Sequence, residues 1–415
     1  MTSPRSDGRD VVVTGLGVTT AVGQGKDDFV AALLDGRHAF GLMRRPGRLP
    51  PAPSPDKTAA FLGAEMGEPS LPGSIAARTV RTASLSARVA LTTLHEAWQE
   101  AGLDEADPSR IGLVVGGSNV QQRELTLLHA RHADRPEFLR PTYGMGFMDS
   151  DLCGFCTEQF PIRGFAHTLG GASASGLLAV LQAVRAVQYG EVDVCIALGA
   201  LMDLSYWECL AFQAMGAMGS HRWADDPAAA CRPFDRDHDG FIFGEACAAV
   251  VVERADGRRH PAPYARFCGG GRAMDGTRNP HPSVEGEAAV IQAALREAGL
   301  SASDVDYVNP HGTGSPTGDA VELQALARCG LTDARINATK SITGHGLTAA
   351  GAVEIVATLL QMRGRKLHPT RNLADPLDER FPWVREEAED CAVRTAVSLS
   401  MGFGGVSAAI CLEKC

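Results

Sequence analysis

No stretch of this 415-residue chain approaches the ~20 uncharged residues a membrane-spanning helix needs, so a transmembrane protein is not expected. The opening residues Met1 to Asp10 are polar and lead straight into Val11-Val-Val13, without the apolar core of a secretion signal or the pattern of a transit peptide. A disulfide framework is also missing. The 11 cysteines are an odd number scattered without regular spacing, which predicts free thiols in a reducing cytoplasm. Cys153-Gly-Phe-Cys156 is a close pair with neither a second pair nor a thioredoxin-like context, so packing is expected of it rather than metal or redox chemistry. The formal charge of −10 and the lack of a basic face with interleaved aromatics argue against nucleic acid, and an acidic partner would have to find a local basic patch. Two catalytic signatures fail as well. Gly312-Thr-Gly314 is not embedded in a dinucleotide-binding fingerprint, and Gly171-Ala-Ser-Ala-Ser175 ends in serine where a hydrolase elbow needs glycine.

What the chain does have is the composition of a soluble globular protein, 45% apolar and 21% charged, long enough for one large domain or two ordinary ones. Strand-like runs at Val11–Gly15, Ile111–Gly116 and Val192–Gly199 alternate with helical patterns at Leu85–Ala101 and Gly176–Tyr189, an α/β layered arrangement. The second part repeats this grammar: helical patterns at Ala288–Ala298, Val321–Arg328 and Ala349–Met362, and strand-like runs at Val305–Val308, Ala396–Ser400 and Ser407–Leu412. Two similar halves are predicted, 1–253 and 254–415, joined after a strand at Ala248–Glu253 by the Pro- and Arg-containing segment Arg254–Tyr264. The proline-rich stretch Arg44–Lys57 reads as a surface loop.

One stretch carries the functional question: His167-Thr-Leu-Gly-Gly-Ala-Ser-Ala-Ser-Gly-Leu-Leu-Ala-Val180 stops a strand-like run with small residues and opens a long apolar helix. A residue at such a helix start feels the N-terminal dipole and free backbone N–H groups, which activate a thiol or cradle an oxyanion. Here that residue is Ser173. Three further glycine-rich turns follow: Asn309-Pro-His-Gly-Thr-Gly-Ser-Pro316, which holds His311 in a fixed loop; Lys340-Ser-Ile-Thr-Gly-His-Gly-Leu-Thr-Ala-Ala-Gly351, with Lys340 and His345 ahead of a small-residue helix; and Met401-Gly-Phe-Gly-Gly405. Taken singly, a histidine is more often structural than catalytic and a glycine turn is usually a turn. Their joint order along the chain lifts them above that.

These motifs, with Val11-Val-Val-Thr-Gly-Leu-Gly-Val18 and Arg232-Pro-Phe-Asp-Arg-Asp-His-Asp-Gly-Phe-Ile-Phe-Gly-Glu245, resemble the β-ketoacyl synthases of the thiolase superfamily over nearly the whole chain. The resemblance implies an α/β thiolase fold, two similar halves forming a five-layered α/β/α/β/α core, usually as a homodimer. It implies that His311 and His345 are the catalytic histidines holding the thioester oxygen, that Lys340 orients the site, and that Glu322 is its supporting acid. By the same resemblance Thr313 and Ser315 bind the phosphopantetheine arm of an acyl carrier protein, Phe403 is the gating aromatic whose backbone N–H joins the oxyanion hole, and Phe241 flanks the pocket. Arg78 and Arg81 lie where the family docks its carrier, and they would supply a basic patch for an acidic partner. No cofactor of its own and no metal is implied.

The departure is at the nucleophile. Condensing members read Ala-Cys-x-Ser-Gly where this chain reads Ala172-Ser-Ala-Ser-Gly176. A thiol of pKa about 8.5, lowered at a helix start, accepts an acyl group from a thioester at little cost. A serine hydroxyl stays protonated unless a base adjoins it, and its oxyester would be a poor donor for carbon–carbon coupling. Decarboxylation needs no such nucleophile, and intact histidines with serine for cysteine resemble the stand-alone decarboxylating synthases of polyketide β-branching cassettes. There malonyl on a carrier becomes acetyl, which passes to an enzyme resembling HMG-CoA synthase. The segment Leu139 to Cys156 also resembles that branch. Two other readings remain at this point: a non-catalytic partner like the chain-length factors, and a serine acyltransferase using Ser173.

Overall fold

The computed structural model of the protein describes residues 10–50, 60–256, 262–276, 278 and 281–415. Of the sequence expectations, the polar opening up to residue 9, the part of Arg44–Lys57 beyond residue 50, and residues 257–261 of the expected connector lie outside the described residues.

The first strand, β1 (Val11–Thr20), is buried along all ten residues, as a β-branched run in the middle of a sheet should be. It continues five residues past the expected Gly15, because its glycines are contact points and not breakers: a Cβ on Gly17 would sit 2.0 Å from the carbonyl of Thr93 in α1 (Leu85–Glu100). α1 starts at Ser84, whose hydroxyl accepts from the Ala87 N–H. β2 (Ile111–Gly116), β3 (Phe165–Leu169), β4 (Val194–Gly199) and β5 (Ala246–Arg254) complete the first half, with α2 (Ser175–Gln188) crossing over between β3 and β4.

The second half repeats the plan with β6 (Ala265–Met274), α3 (Val284–Ala298), β7 (Tyr307–Asn309), α4 (Gly318–Arg328), β8 (Arg335–Ile336), α5 (Ala350–Gly364), β9 (Thr395–Gly402) and β10 (Val406–Lys414). Spatial order is β3-β2-β4-β5-β1 in the first half and β8-β7-β9-β10-β6 in the second, the same order with the same parallel and antiparallel neighbours. Val11 and Val12 of β1 pair with Phe267 and Arg266 of β6, so the two parts join into one continuous sheet. α2 and α5 pack between the halves, α1 covers the outer face of the first, and α3, backed by α4, covers the second. The result is the five-layered α/β/α/β/α core of the thiolase fold. Its central layer explains why α5 is buried on every side from Ala350 through Met362.

The described part of Arg44–Lys57 is a turn-rich loop with Arg44, Pro46 and Leu49 exposed, as expected, but one of its side chains is anchored in the interior. Arg48 is fully buried, its guanidinium 2.8 Å from Glu65, 2.9 Å from Asp203 and 2.6 Å from Glu245. A small three-stranded sheet of Phe40–Leu42, Leu62–Ala64 and Phe243–Gly244 draws the segment inward. A proline-rich composition cannot reveal that a charged residue within it has three carboxylate partners.

Candidate active site

Ser173 stands in a 3-10 turn, Ala172–Ala174, directly ahead of α2 rather than in its first helical turn. Ala172 carries φ 48°, a left-handed conformation costly for a residue with a Cβ, held because Ser175 Oγ accepts from Gly171 N–H at 2.9 Å and donates to the Ala172 carbonyl at 2.7 Å. The end of β9 presses against this turn: a Cβ on Gly402 would lie 2.3 Å from the Gly171 oxygen.

His311 follows β7 in a loop pinned by two carboxylates of α4. Glu322 accepts from the backbone N–H of His311 at 2.5 Å and of Gly312 at 2.8 Å. Asp319, which the sequence reading did not single out, accepts from the N–H groups of Thr313 (3.2 Å), Gly314 (3.1 Å) and Ser315 (3.1 Å), and from Phe234 N–H at 2.6 Å. A carboxylate in the first turn of a helix, a few residues after a glycine loop, was the available signal for it. Lys340 does not line the cavity. Its ammonium donates to the His311 carbonyl and pairs with Glu354 of α5, so it braces the loop from behind. Glu354 was also missed, because nothing local distinguishes it from any other helical glutamate.

His345 is fixed by its backbone, donating to the Ile242 carbonyl at 2.7 Å and accepting from Gly244 N–H at 3.1 Å. Its Nε2 lies 2.9 Å from Ser173 Oγ, and its ring meets that of His311 at 5.5 Å and 84°. Phe241 packs edge-on to His345 at 5.2 Å, and Phe212, a further residue the sequence reading did not name, bridges Phe241 (5.7 Å) and Phe403 (6.1 Å). Ser173, His311, His345, Thr313, Ser315, Glu322, Phe241 and Phe403 all line one cavity of about 310 Å³. Arg78 and Arg81 do not: they sit on the short helix Ala77–Thr82, where Arg78 pairs with Glu158 at 3.4 Å. The thiols of Cys153 and Cys156 are buried and pushed up by desolvation, Cys153 lying 3.4 Å from Thr168 Oγ1, which is packing as expected.

Burial, the positive charge of Lys340 and, for His311, the neighbouring His345 hold both histidines well below the ordinary imidazole range, so both are neutral. Each has a buried Nδ1 without a partner among the described residues. An orphaned acceptor is easier to tolerate than an orphaned N–H, which assigns the proton of each ring to Nε2 and makes both rings donors into the cavity. The same orphaned Nδ1 atoms mean that, among the described residues, no carboxylate orients either ring as the base of a serine triad. Histidine-selective ¹⁵N NMR should therefore find His311 and His345 neutral and Nε2-protonated at pH 6.5, with midpoints below it. Imidazolium signals from both at that pH would contradict the assignment.

Residues 8–257 match the family described as Beta-ketoacyl synthase, N-terminal domain, and residues 264–374 match Beta-ketoacyl synthase, C-terminal domain. The chain belongs to the β-ketoacyl synthase family. It is 57% identical over 411 residues, covering 98% of this chain and 97% of the relative, to the polyketide biosynthesis malonyl-ACP decarboxylase PksF of Bacillus subtilis. Identity falls to 30% over 422 residues, covering 98% of this chain and 99% of the relative, for the 3-oxoacyl-[acyl-carrier-protein] synthase 2 of Coxiella burnetii. A β-ketoacyl synthase crystal structure from Burkholderia phymatum superposes with a TM-score of 0.85 at 27% identity, covering 98% of this chain and 99% of that one.

Proposed function

We propose that this chain is a malonyl-acyl carrier protein decarboxylase of polyketide biosynthesis, producing an acetyl thioester and unable to carry out Claisen condensation. The observation that carries the reading is a hydroxyl, that of Ser173, at 2.9 Å from Nε2 of His345, a histidine that burial holds well below the ordinary imidazole range, in the place where a thiolate would be needed to store an acyl chain. The 57% identity to a malonyl-ACP decarboxylase supports it.

In this reading the malonyl group arrives on the 4′-phosphopantetheine arm of an acyl carrier protein, past Thr313 and Ser315. The thioester oxygen lies between His311 and His345, whose two N–H donors stabilise the enolate as CO₂ leaves. Phe241 and Phe403 place apolar surface beside the carboxylate, favouring neutral CO₂ over the anion. The same proposal takes the chain as a homodimer in the cytoplasm, with halves at 1–253 and 254–415 whose repeated strand order supports the division. Among the described residues no helix is long and apolar enough to cross a membrane. Arg78 and Arg81 serve as the carrier-docking patch, and the acetyl product passes in β-branching to an enzyme resembling HMG-CoA synthase.

Incubating malonyl-loaded carrier with the chain alone and weighing the intact carrier tests the reading: acetyl carrier without chain extension is expected. An unchanged carrier that reacts only when a true synthase is added would favour a chain-length-factor-like role. Ser173→Ala separates the serine acyltransferase alternative. Substantial CO₂ release should survive, whereas complete loss together with an oxyester adduct on the parent Ser173 would overturn the proposal.

A further inference from the structure

Loss of CO₂ leaves an enolate carbon that must gain a proton, and the two histidines are poorly placed to give one: their N–H groups are engaged with the enolate oxygen, and a neutral imidazole is a far weaker acid than a carboxyl group. Glu287, in the first turn of α3, lines the same cavity as Ser173, His311 and Phe403. It is 3% exposed, and its Oε2 is buried without a hydrogen-bond partner among the described residues. Facing it are Glu322 and Asp319 from α4 and Asp275 just after β6, with His281, His311 and His345 as further titratable groups on the cavity wall. Glu322 and Asp319 are occupied by backbone N–H groups of the His311 loop. Burial first, and then these facing carboxylates, hold Glu287 well above the usual carboxylate range, so it carries a proton at neutral pH.

We propose that Glu287 is the general acid of this site, protonating the enolate carbon left when CO₂ departs. The assignment rests on the decarboxylase reading above. The bond from the malonyl α-carbon to its carboxylate breaks, its electron pair becomes the enolate, and CO₂ leaves. A C–H bond then forms with the Glu287 proton as the enolate electrons return to the carbon, giving the acetyl thioester and a Glu287 carboxylate. Solvent water reprotonates that carboxylate, so one proton is consumed per CO₂ and no other co-reactant is needed.

The test compares the parent chain, Glu287→Gln and Glu287→Asp on malonyl-loaded carrier in a ¹³C-labelled CO₂/bicarbonate buffer. The amide keeps the volume of the acid but cannot supply its proton, so the enolate lives longer and recaptures CO₂. Acetyl formation by E287Q should fall by about 10²-fold, and ¹³C should enter the remaining malonyl groups, which it does not with the parent. E287D should recover part of the acetyl rate. Because the acid form is required, the parent rate should decline as pH rises through the Glu287 midpoint, a limb absent from E287Q. A parent-like acetyl rate in E287Q overturns the assignment, as does a slow E287Q without label in the malonyl pool, the mark of a merely structural residue. If the parent releases no CO₂, the decarboxylase reading itself fails before any variant is compared, and the role of Glu287 falls with it.

Discussion

Replacing His311 or His345 with alanine should lower CO₂ release from a malonyl-loaded carrier by about 10²- to 10³-fold each, the loss typical of removing one preorganised oxyanion donor. Each ring contributes one N–H aimed into the cavity, and the loop that aims it stays in place without the imidazole. Glu322 holds His311 through the backbone N–H of residues 311 and 312, and Lys340 grips the carbonyl of residue 311. His345 is likewise held by backbone hydrogen bonds to the segment Ile242 to Gly244. Circular dichroism and the unfolding midpoint should therefore move little while turnover collapses. The two losses should be less than additive, since the donors serve one oxygen. A His311→Ala chain that releases CO₂ at close to the parent rate would rule out the enolate mechanism.

Arg48→Met is expected to be the most damaging change remote from the chemistry, costing about 3–5 kcal/mol because it strips a buried cation from its carboxylates. Burial opposes the charge on Arg48, but Glu245, Asp203 and Glu65 outweigh that and raise its affinity for the proton. Without the guanidinium, Asp203 keeps Arg123 at 2.7 Å and Glu245 keeps Arg45 at 2.8 Å, yet both carboxylates lose their shared centre in a fully buried site. Glu245 directly follows the segment that brackets His345, so CO₂ release should fall along with stability. Denaturant unfolding of purified E245Q and R48M chains checks this: the double change should cost less than the sum of the singles, because the neutral amide removes the charge that Arg48 compensated. A parent-like unfolding free energy for R48M would show that the network contributes nothing to the fold.

The substitution at position 173 shows how one atom type divides the reactions open to this site. In the proposed mechanism the two histidines and the turn ahead of α2 would suit a condensing enzyme as well, and the residue at 173 is what withholds a thiolate from them. Restoring a thiol there supplies the nucleophile, but the rest of the cavity, including the acidic wall around Glu287, would still be that of this chain.

Many of the core strands and helices could be read from residue order, because a period of two or of 3.6 is written within a few consecutive positions, whereas β6 at the junction of the two parts, rich in glycine at Gly269 to Gly271, could not. Ser173, His311, His345 and Phe403 were legible too, since each lies in a contiguous glycine-rich motif. Asp319, Glu354, Phe212, Arg48 and Glu287 were not. Each is an ordinary helix or loop residue along the chain and acquires its role from partners distant in sequence, as Arg48 does from Asp203 and Glu245. The distance that matters most, 2.9 Å between Ser173 and His345, spans 172 positions. Local pattern determines which segments form and what chemistry they carry. Only the packing of the two halves around α2 and α5 decides which charges lose their water, and burial is what sets the protonation of this site.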